Sequence, residues 1–189
     1  MKIAVTGLDP SMRNWGIAQG VYDTDSQELT ISRLDVVQPV LTTSKQVRQN
    51  SKDLESAQQL FAAAYKAVKG TQAIFVEVPV GSQSARAMCG YGLCLGVLGS
   101  LRASGIPFFE VTPTEVKMIS VGKKTATKSE MIQWAYNRHP EAKWPTYKQH
   151  GQDVISEAKA EHMADAVAAI HAGLASNQFQ QTLPFLRAA

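Results

Sequence analysis

Cysteine is scarce in this 189-residue chain: Cys89 and Cys94 are the only two. Four residues separate them, which fits no common zinc pattern, and there is no second pair. A disulfide-stapled secreted scaffold is excluded on the same count, and both read as buried free thiols in a reducing compartment. Long apolar runs are missing too. No stretch of about 18 apolar residues occurs, and no basic segment leads into an apolar one near the start, so no membrane span is expected and the expected compartment is the cytosol. Charge is modest, at 19% charged residues and a net +3, which excludes an acidic or polybasic tail as the organising feature. Repeats, low-complexity tracts and linkers are absent. With 44% hydrophobic residues the chain reads as one folded domain over residues 1–189 with a sizeable core.

The charge that is present is unevenly placed. Between Thr112 and His150 seven Lys/Arg face three Glu. That segment carries more positive charge than the whole chain, a local field suited to a polyanion. A solvated face of scattered lysines would look the same.

The pattern near the start is more telling. Ile3 to Leu8 reads as a buried strand, and Asp9 ends it. Pro10 and Ser11 turn the chain, and a second strand begins near Gly16 and runs to about Tyr22. A third covers about Glu28 to Val37, so the three predict an antiparallel meander. A buried carboxylate needs a cation or donors; Asp9 alone fits either a turn-capping acid or a metal ligand. Pro39 to Asn50 reads as loop. Leu54, Ala57, Phe61, Ala64, Tyr65 and Val68 recur at helical spacing, and Gly70 suits the end of that helix. Ala73 to Val78 is a second buried-type strand with one carboxylate, Glu77, near its end. The intervening helix makes it parallel to a neighbour.

A helix is predicted over about Ser84–Ser104 despite Gly90, Gly92, Gly96 and Gly99. Each costs about 1 kcal/mol relative to alanine, a cost that close packing against another helix or a second subunit would offset. Ile106 to Val111 reads as a strand. Thr112-Pro113-Thr114-Glu115 and Thr127-Lys128-Ser129-Glu130 are both capping boxes. Residues 137–153 read as irregular, and the last long helix spans about Ser156–Ala175, followed by a short tail that Phe179, Leu183 and Phe185 would dock.

That last helix offers Glu161, His162 and Asp165, with His162 and Asp165 sharing a face. If it packs over the ends of the strands carrying Asp9 and Glu77, three or four acidic or imidazole groups converge. Such a cluster repels itself unless divalent ions sit in it. Singly, Glu77 could be satisfied by loop amides, His162 could be structural and Asp165 a surface acid. Their joint order is what points to a site.

In that order the sequence resembles the RuvC family of Holliday junction resolvases, a branch of the ribonuclease H-like nucleases. Gly7-Leu8-Asp9-Pro10-Ser11, with Gly16 beyond, resembles the family's first motif. Phe75-Val76-Glu77 resembles its second acidic strand. Phe109 to Lys117 resembles the strand leading to a Val-Lys pair, Gly122 to Ser129 the loop with a Lys-Ser step, and Glu161 to Ala168 the closing motif. The resemblance implies an α/β ribonuclease H-like fold: a mixed five-stranded sheet, three strands antiparallel, flanked by helices. It implies a metal site of Asp9, Glu77, His162 and Asp165, with Asp9 bridging two Mg²⁺ ions that Mn²⁺ can replace, and Lys117 and Lys128 near the scissile phosphate. Lys128 joins the four ligands as a catalytic candidate. The expected activity is paired phosphodiester cleavage of four-way DNA junctions. A flap or branched-DNA nuclease of loose preference and a non-cleaving junction binder are the alternatives. Lys117, Lys123, Lys124, Lys128 and Arg86, with Ser82 and Gln83 of the polar loop, are the expected DNA contacts. A homodimer through the glycine-rich helix near 84–104 is the expected assembly. Ser11, Met12 and Val80 depart from the family pattern, and the 137–153 region is longer and more basic than in cellular members. Such divergence resembles phage or organellar relatives.

Overall fold

The computed structural model describes residues 1–188, with the side chains of 152, 153, 187 and 188 outside that description. In chain order the elements are β1 (Lys2–Asp9), β2 (Trp15–Asp23), β3 (Glu28–Val37), α1 (Gln49–Val68), β4 (Ala73–Glu77), α2 (Ala85–Ala103), β5 (Phe109–Val111), α3 (Pro113–Ser120), α4 (Lys128–Arg138), β6 (Thr146–Gln149), β7 (Gln152–Ile155), α5 (Glu157–Ala175) and α6 (Asn177–Ala188). β3, β2, β1, β4 and β5 form one five-stranded sheet in that order. β1–β2 and β2–β3 are antiparallel, whereas β1–β4 and β4–β5 are parallel. This is the mixed sheet expected from the sequence. Among the described residues no helix is long and apolar enough to cross a membrane.

Period two divides each central strand between two cores. Ile3 and Val5 of β1 and Ala73 and Phe75 of β4 pack with Ala164, Val167 and Ile170 of α5. Leu8, Ile74 and Val76 face the other way, onto Leu60 and Ala64 of α1 and Leu98 and Leu101 of α2. Asp9 and Glu77 continue the first series, so both fall on the α5 face. The parallel register runs Val5↔Ala73 to Leu8↔Val76, so each carboxylate lies one step beyond its end.

α5 is buried around most of its circumference and is largely alanine along the face that meets the sheet. Two glycines of the sheet, with Gly173 of α5 against Phe75, allow it to come this close. A Cβ on Gly7 would lie 2.0 Å from the Ala166 carbonyl oxygen, and one on Gly16 would lie 2.1 Å from that of His162. Gly16 pairs directly with Asp9 across β1 and β2. The sheet contact is therefore made at the residues that carry the chemistry.

Several expectations need correction. Cys94 is buried as expected, whereas Cys89, expected to be buried, is exposed. The buried face of α1 is Asp53, Ser56, Leu60, Ala64 and Val68, while Leu54 is 70% exposed; the face is rotated because Asp53 takes an ion pair inward. Residues 137–153 are not wholly irregular: β6 and β7 pair as an antiparallel hairpin turned through the positive φ of His150 and Gly151. The tail is a twelve-residue helix, α6. Phe179 and Leu183 dock it, whereas Phe185 stays exposed. The strand expected from Ile106 is limited to Phe109–Val111. In α2, a Cβ on Gly92, Gly96 or Gly99 would meet nothing within 4 Å, so no element among the described residues packs closely there. Both capping boxes are present, at Thr112/Glu115 and Thr127/Glu130.

Candidate active site

The ends of β1 and β4 and the first half of α5 enclose a cleft of about 280 Å³ whose wall includes Asp9, Glu77, Glu161, His162, Asp165 and Tyr91. The four ligands expected from the sequence are thus brought together. His162 Nδ1 lies 2.7 Å from Asp9 Oδ2, and both side chains are largely buried, at 18% and 14% exposure. His162 and Asp165 arrive together because they stand one helical turn apart on α5.

The electrostatics of the cleft are those of too many acids in too little water. Burial raises Asp9, while the hydrogen bond and charge of His162 oppose that and Glu161 adds to it. Burial, then Asp9 and Asp165, push Glu77 up to about 9; Lys117 acts in the other direction. Burial, Asp9 and Glu161 push Asp165 up to about 7. For His162, burial favours the neutral ring, but the hydrogen bond to Asp9 and the surrounding carboxylates outweigh it and the net shift is upward. Glu77 Oε2 is also a buried oxygen without a hydrogen-bond partner, a state that carries a desolvation cost of about 1–3 kcal/mol.

These features fit a divalent cation. The donors are hard oxygens plus one imidazole, one oxygen is orphaned, and charge repulsion holds protons on the acids that a cation would displace. Among the described residues no group of three His, Cys, Asp or Glu side chains is arranged to hold an ion as it stands. One Asp9 oxygen is already engaged by His162 Nδ1. Side-chain rotation within the cleft is needed before several donors meet one ion.

The basic residues divide into distinct groups. Lys128 Nζ sits 2.7 Å from Glu161 Oε1 at the rim, and Lys117 is near enough to act on Glu77 and Asp165. Lys123 is paired with Glu130, and Lys124 is exposed. Arg86 lies outside the acidic cleft and forms a two-pronged pair with Asp53, 3.0 Å at each nitrogen. Ser82 and Gln83 are exposed on the loop between β4 and α2, whereas Val80 and Gly81 of that loop reach the cleft wall. Tyr91 was not singled out from the sequence. It stands on α2, far from the acidic motifs in sequence, and only the packing of α2 beside the β1–β2 turn brings it in.

No family model matches the chain, and no curated protein matches it. Solved structures do. Thermus thermophilus RuvC in complex with a Holliday junction substrate superposes with a TM-score of 0.63 at 21% identity, over 95% of this chain and 97% of that one. The fold is that of RuvC. The yeast mitochondrial Holliday junction resolvase aligns with a TM-score of 0.56 at 13% identity, over 97% of this chain and 85% of its own. The fowlpox virus resolvase, solved with Holliday junction DNA, gives 0.51 at 13% identity over 96% and 99%. The RuvC-like likeness is one of fold and spans nearly the whole chain.

Proposed function

We propose that this protein is a metal-dependent endonuclease that resolves four-way DNA junctions by paired phosphodiester cleavage. The observation that carries this is the meeting of Asp9, Glu77, His162 and Asp165 in one cleft on a RuvC-like fold. Divalent ions held there, Mg²⁺ or Mn²⁺, would supply water activation and charge neutralisation at the scissile phosphate. The chain's own groups do the rest. Asp9, Glu77, Asp165 and His162 would hold the ion, with the buried carboxyl groups giving up their protons to become ligands. Lys128, freed from Glu161, would place a cation on the phosphate, with Lys117 behind it. Lys123 and Lys124 lie on the same basic segment and would grip the backbone, which makes binding salt-dependent.

A four-way junction has two equivalent strands to cut, which suits a two-fold dimer. α2 is the proposed dimer helix: Met88 and Leu95 are 45% and 46% exposed, beside Gly92, Gly96 and Gly99, which nothing among the described residues covers.

The test is to incubate the protein with a synthetic junction, a flap and a linear duplex, in Mg²⁺ or EDTA, beside Asp9→Asn. The expected result is Mg²⁺-dependent, symmetric nicking of the junction by the unaltered protein alone. Equal cutting of flap and junction would replace the resolvase reading with that of a loose branched-DNA nuclease. Tight binding without cutting would make it a junction binder. Mass measured across protein concentrations tests the dimer.

A further inference from the structure

The acidic cleft is not closed on its α2 side. Ser11 and Tyr91 line both it and a second cavity of about 360 Å³, whose far wall holds Arg13, Asp53 and Arg86. Those three residues also line a third cavity of about 580 Å³, together with Lys52. The three hollows adjoin in series through shared wall residues, and together they trace a path from the carboxylates, past Tyr91, to a basic end.

The groove's side chains are suited to a polynucleotide strand. Tyr91 supplies the one phenol ring in the wall of the acidic cleft. Among the described residues its ring stacks on no other aromatic. Val80, across the same mouth, is aliphatic and 76% exposed. Deeper in, the single acid is already neutralised: Asp53 is 7% exposed and accepts from both Arg86 nitrogens and from Gln49 Nε2 at 2.9 Å. That pairing fixes the guanidinium in place, while the Arg86 side chain stays 62% exposed. No salt bridge or hydrogen bond engages the Arg13 or Lys52 side chains among the described residues. The groove end thus carries three cations against one acid.

We propose that the strand continuing from the scissile phosphate lies unpaired in this groove, with one base stacked on Tyr91 and its phosphates on Arg13 and Arg86. Asp53 is then a positioning residue for Arg86. The proposal rests on the nuclease reading of the acidic cleft and adds to it a site for the flanking nucleotides. Every base offers a ring face to Tyr91, and an unpaired strand is the form that leaves such a face free to stack.

The test uses a junction carrying 2-aminopurine beside the cut position, titrated with the full-length protein in EDTA, where no cutting interferes. The expected result is quenching of the 2-aminopurine on binding. Tyr91→Ala should lose the quench and about tenfold in affinity, and Tyr91→Phe should keep both. Arg13→Gln should lower the dependence of log affinity on log salt by about one unit. Asp53→Asn should weaken binding as Arg86→Gln does, and the double variant should add nothing further. Thermal melting of each variant separates lost binding from lost folding. Free thymidine monophosphate should not displace the junction at concentrations comparable to the protein; displacement there would make the groove a mononucleotide pocket and overturn the proposal. So would an unchanged quench and affinity in Tyr91→Ala. If the unaltered protein quenches the probe but cuts no branched DNA in Mg²⁺, the nuclease reading fails while the groove stands.

Discussion

α5 carries two buried histidine clusters, nine residues and about 13 Å apart along the helix, and they resolve the same problem in opposite ways. Near its start, His162 faces Asp9 among further carboxylates, and Glu77 keeps an oxygen with no partner. Near its end, His171 Nε2 lies 2.8 Å from His139 Nε2, and His139 Nδ1 lies 3.0 Å from Glu141 Oε1. Glu141 also accepts from the Ile31 backbone N–H, and Trp144 Nε1 donates to the His139 carbonyl. The Glu141 carboxylate can only accept, so His139 Nδ1–H donates to it and Nε2 of the neutral ring accepts from His171 Nε2–H. Burial, then the charge of His139 and Arg138, pulls His171 down to about 3, and burial also lowers His139. Both histidines of the second cluster are therefore neutral and hydrogen-bonded, and the cluster ties α4 and β3 to α5. The first is charged, crowded and incomplete. Buried groups on one helix give a brace at one end and a crowded acidic cleft at the other.

Removing a carboxylate breaks the first cluster's function with the largest effect. Asp9→Asn or Asp165→Asn should lower junction cutting by more than about a hundredfold, read as initial rates in saturating Mg²⁺, with the melting temperature held or raised because a buried charge is gone.

The contact that both clusters depend on is α5 against the sheet. Gly7→Ala drives a Cβ into the Ala166 carbonyl. It should cost about 3 kcal/mol or more, seen as a melting temperature lower by about 6–12 °C, and it should displace α5 enough to lower cutting as well.

The second cluster sets a pH limit. A histidine held well below its unfolded value of 6.5 binds fewer protons folded than unfolded. Stability is thus full above pH 6.5 and is lost as pH falls toward the folded value. For His171 alone the loss by pH 5 is about 2 kcal/mol. Urea unfolding at pH 7.5 and pH 5 checks this, and His171→Phe should flatten the difference if the ring is accommodated.

The smallest effect belongs to a pair outside both clusters. Lys123→Ala removes an exposed partner of Glu130. It should shift stability by no more than about 0.5 kcal/mol while lowering the salt dependence of junction binding by about one unit.

Much of the first cluster was legible in the sequence, because short-range rules determine it. Strand alternation puts Asp9 and Glu77 on one face, and helical spacing puts His162 and Asp165 on another. The capping boxes at Thr112 and Thr127 likewise follow from local chemistry. The second cluster was not legible. His139, Glu141 and His171 come from three separate segments, and nothing in their spacing pairs them. Arg86 and Asp53 behave in the same way, and their pairing rotates α1 so that Leu54 faces solvent. The glycines of α2 invited a packing explanation, whereas the close approaches fall at Gly7 and Gly16. The β6–β7 hairpin escaped because its strands are four residues long and mostly polar, so alternation had too little length to show.

The contrast between the clusters rests on one claim, that the acidic cleft is built to hold a divalent ion. Calorimetric titration of Mn²⁺ into the DNA-free protein at neutral pH tests it most directly. The account predicts saturable binding with proton release, abolished in Asp9→Asn and retained in His171→Phe. Identical binding by the unaltered protein and Asp9→Asn, or none by either, would contradict it.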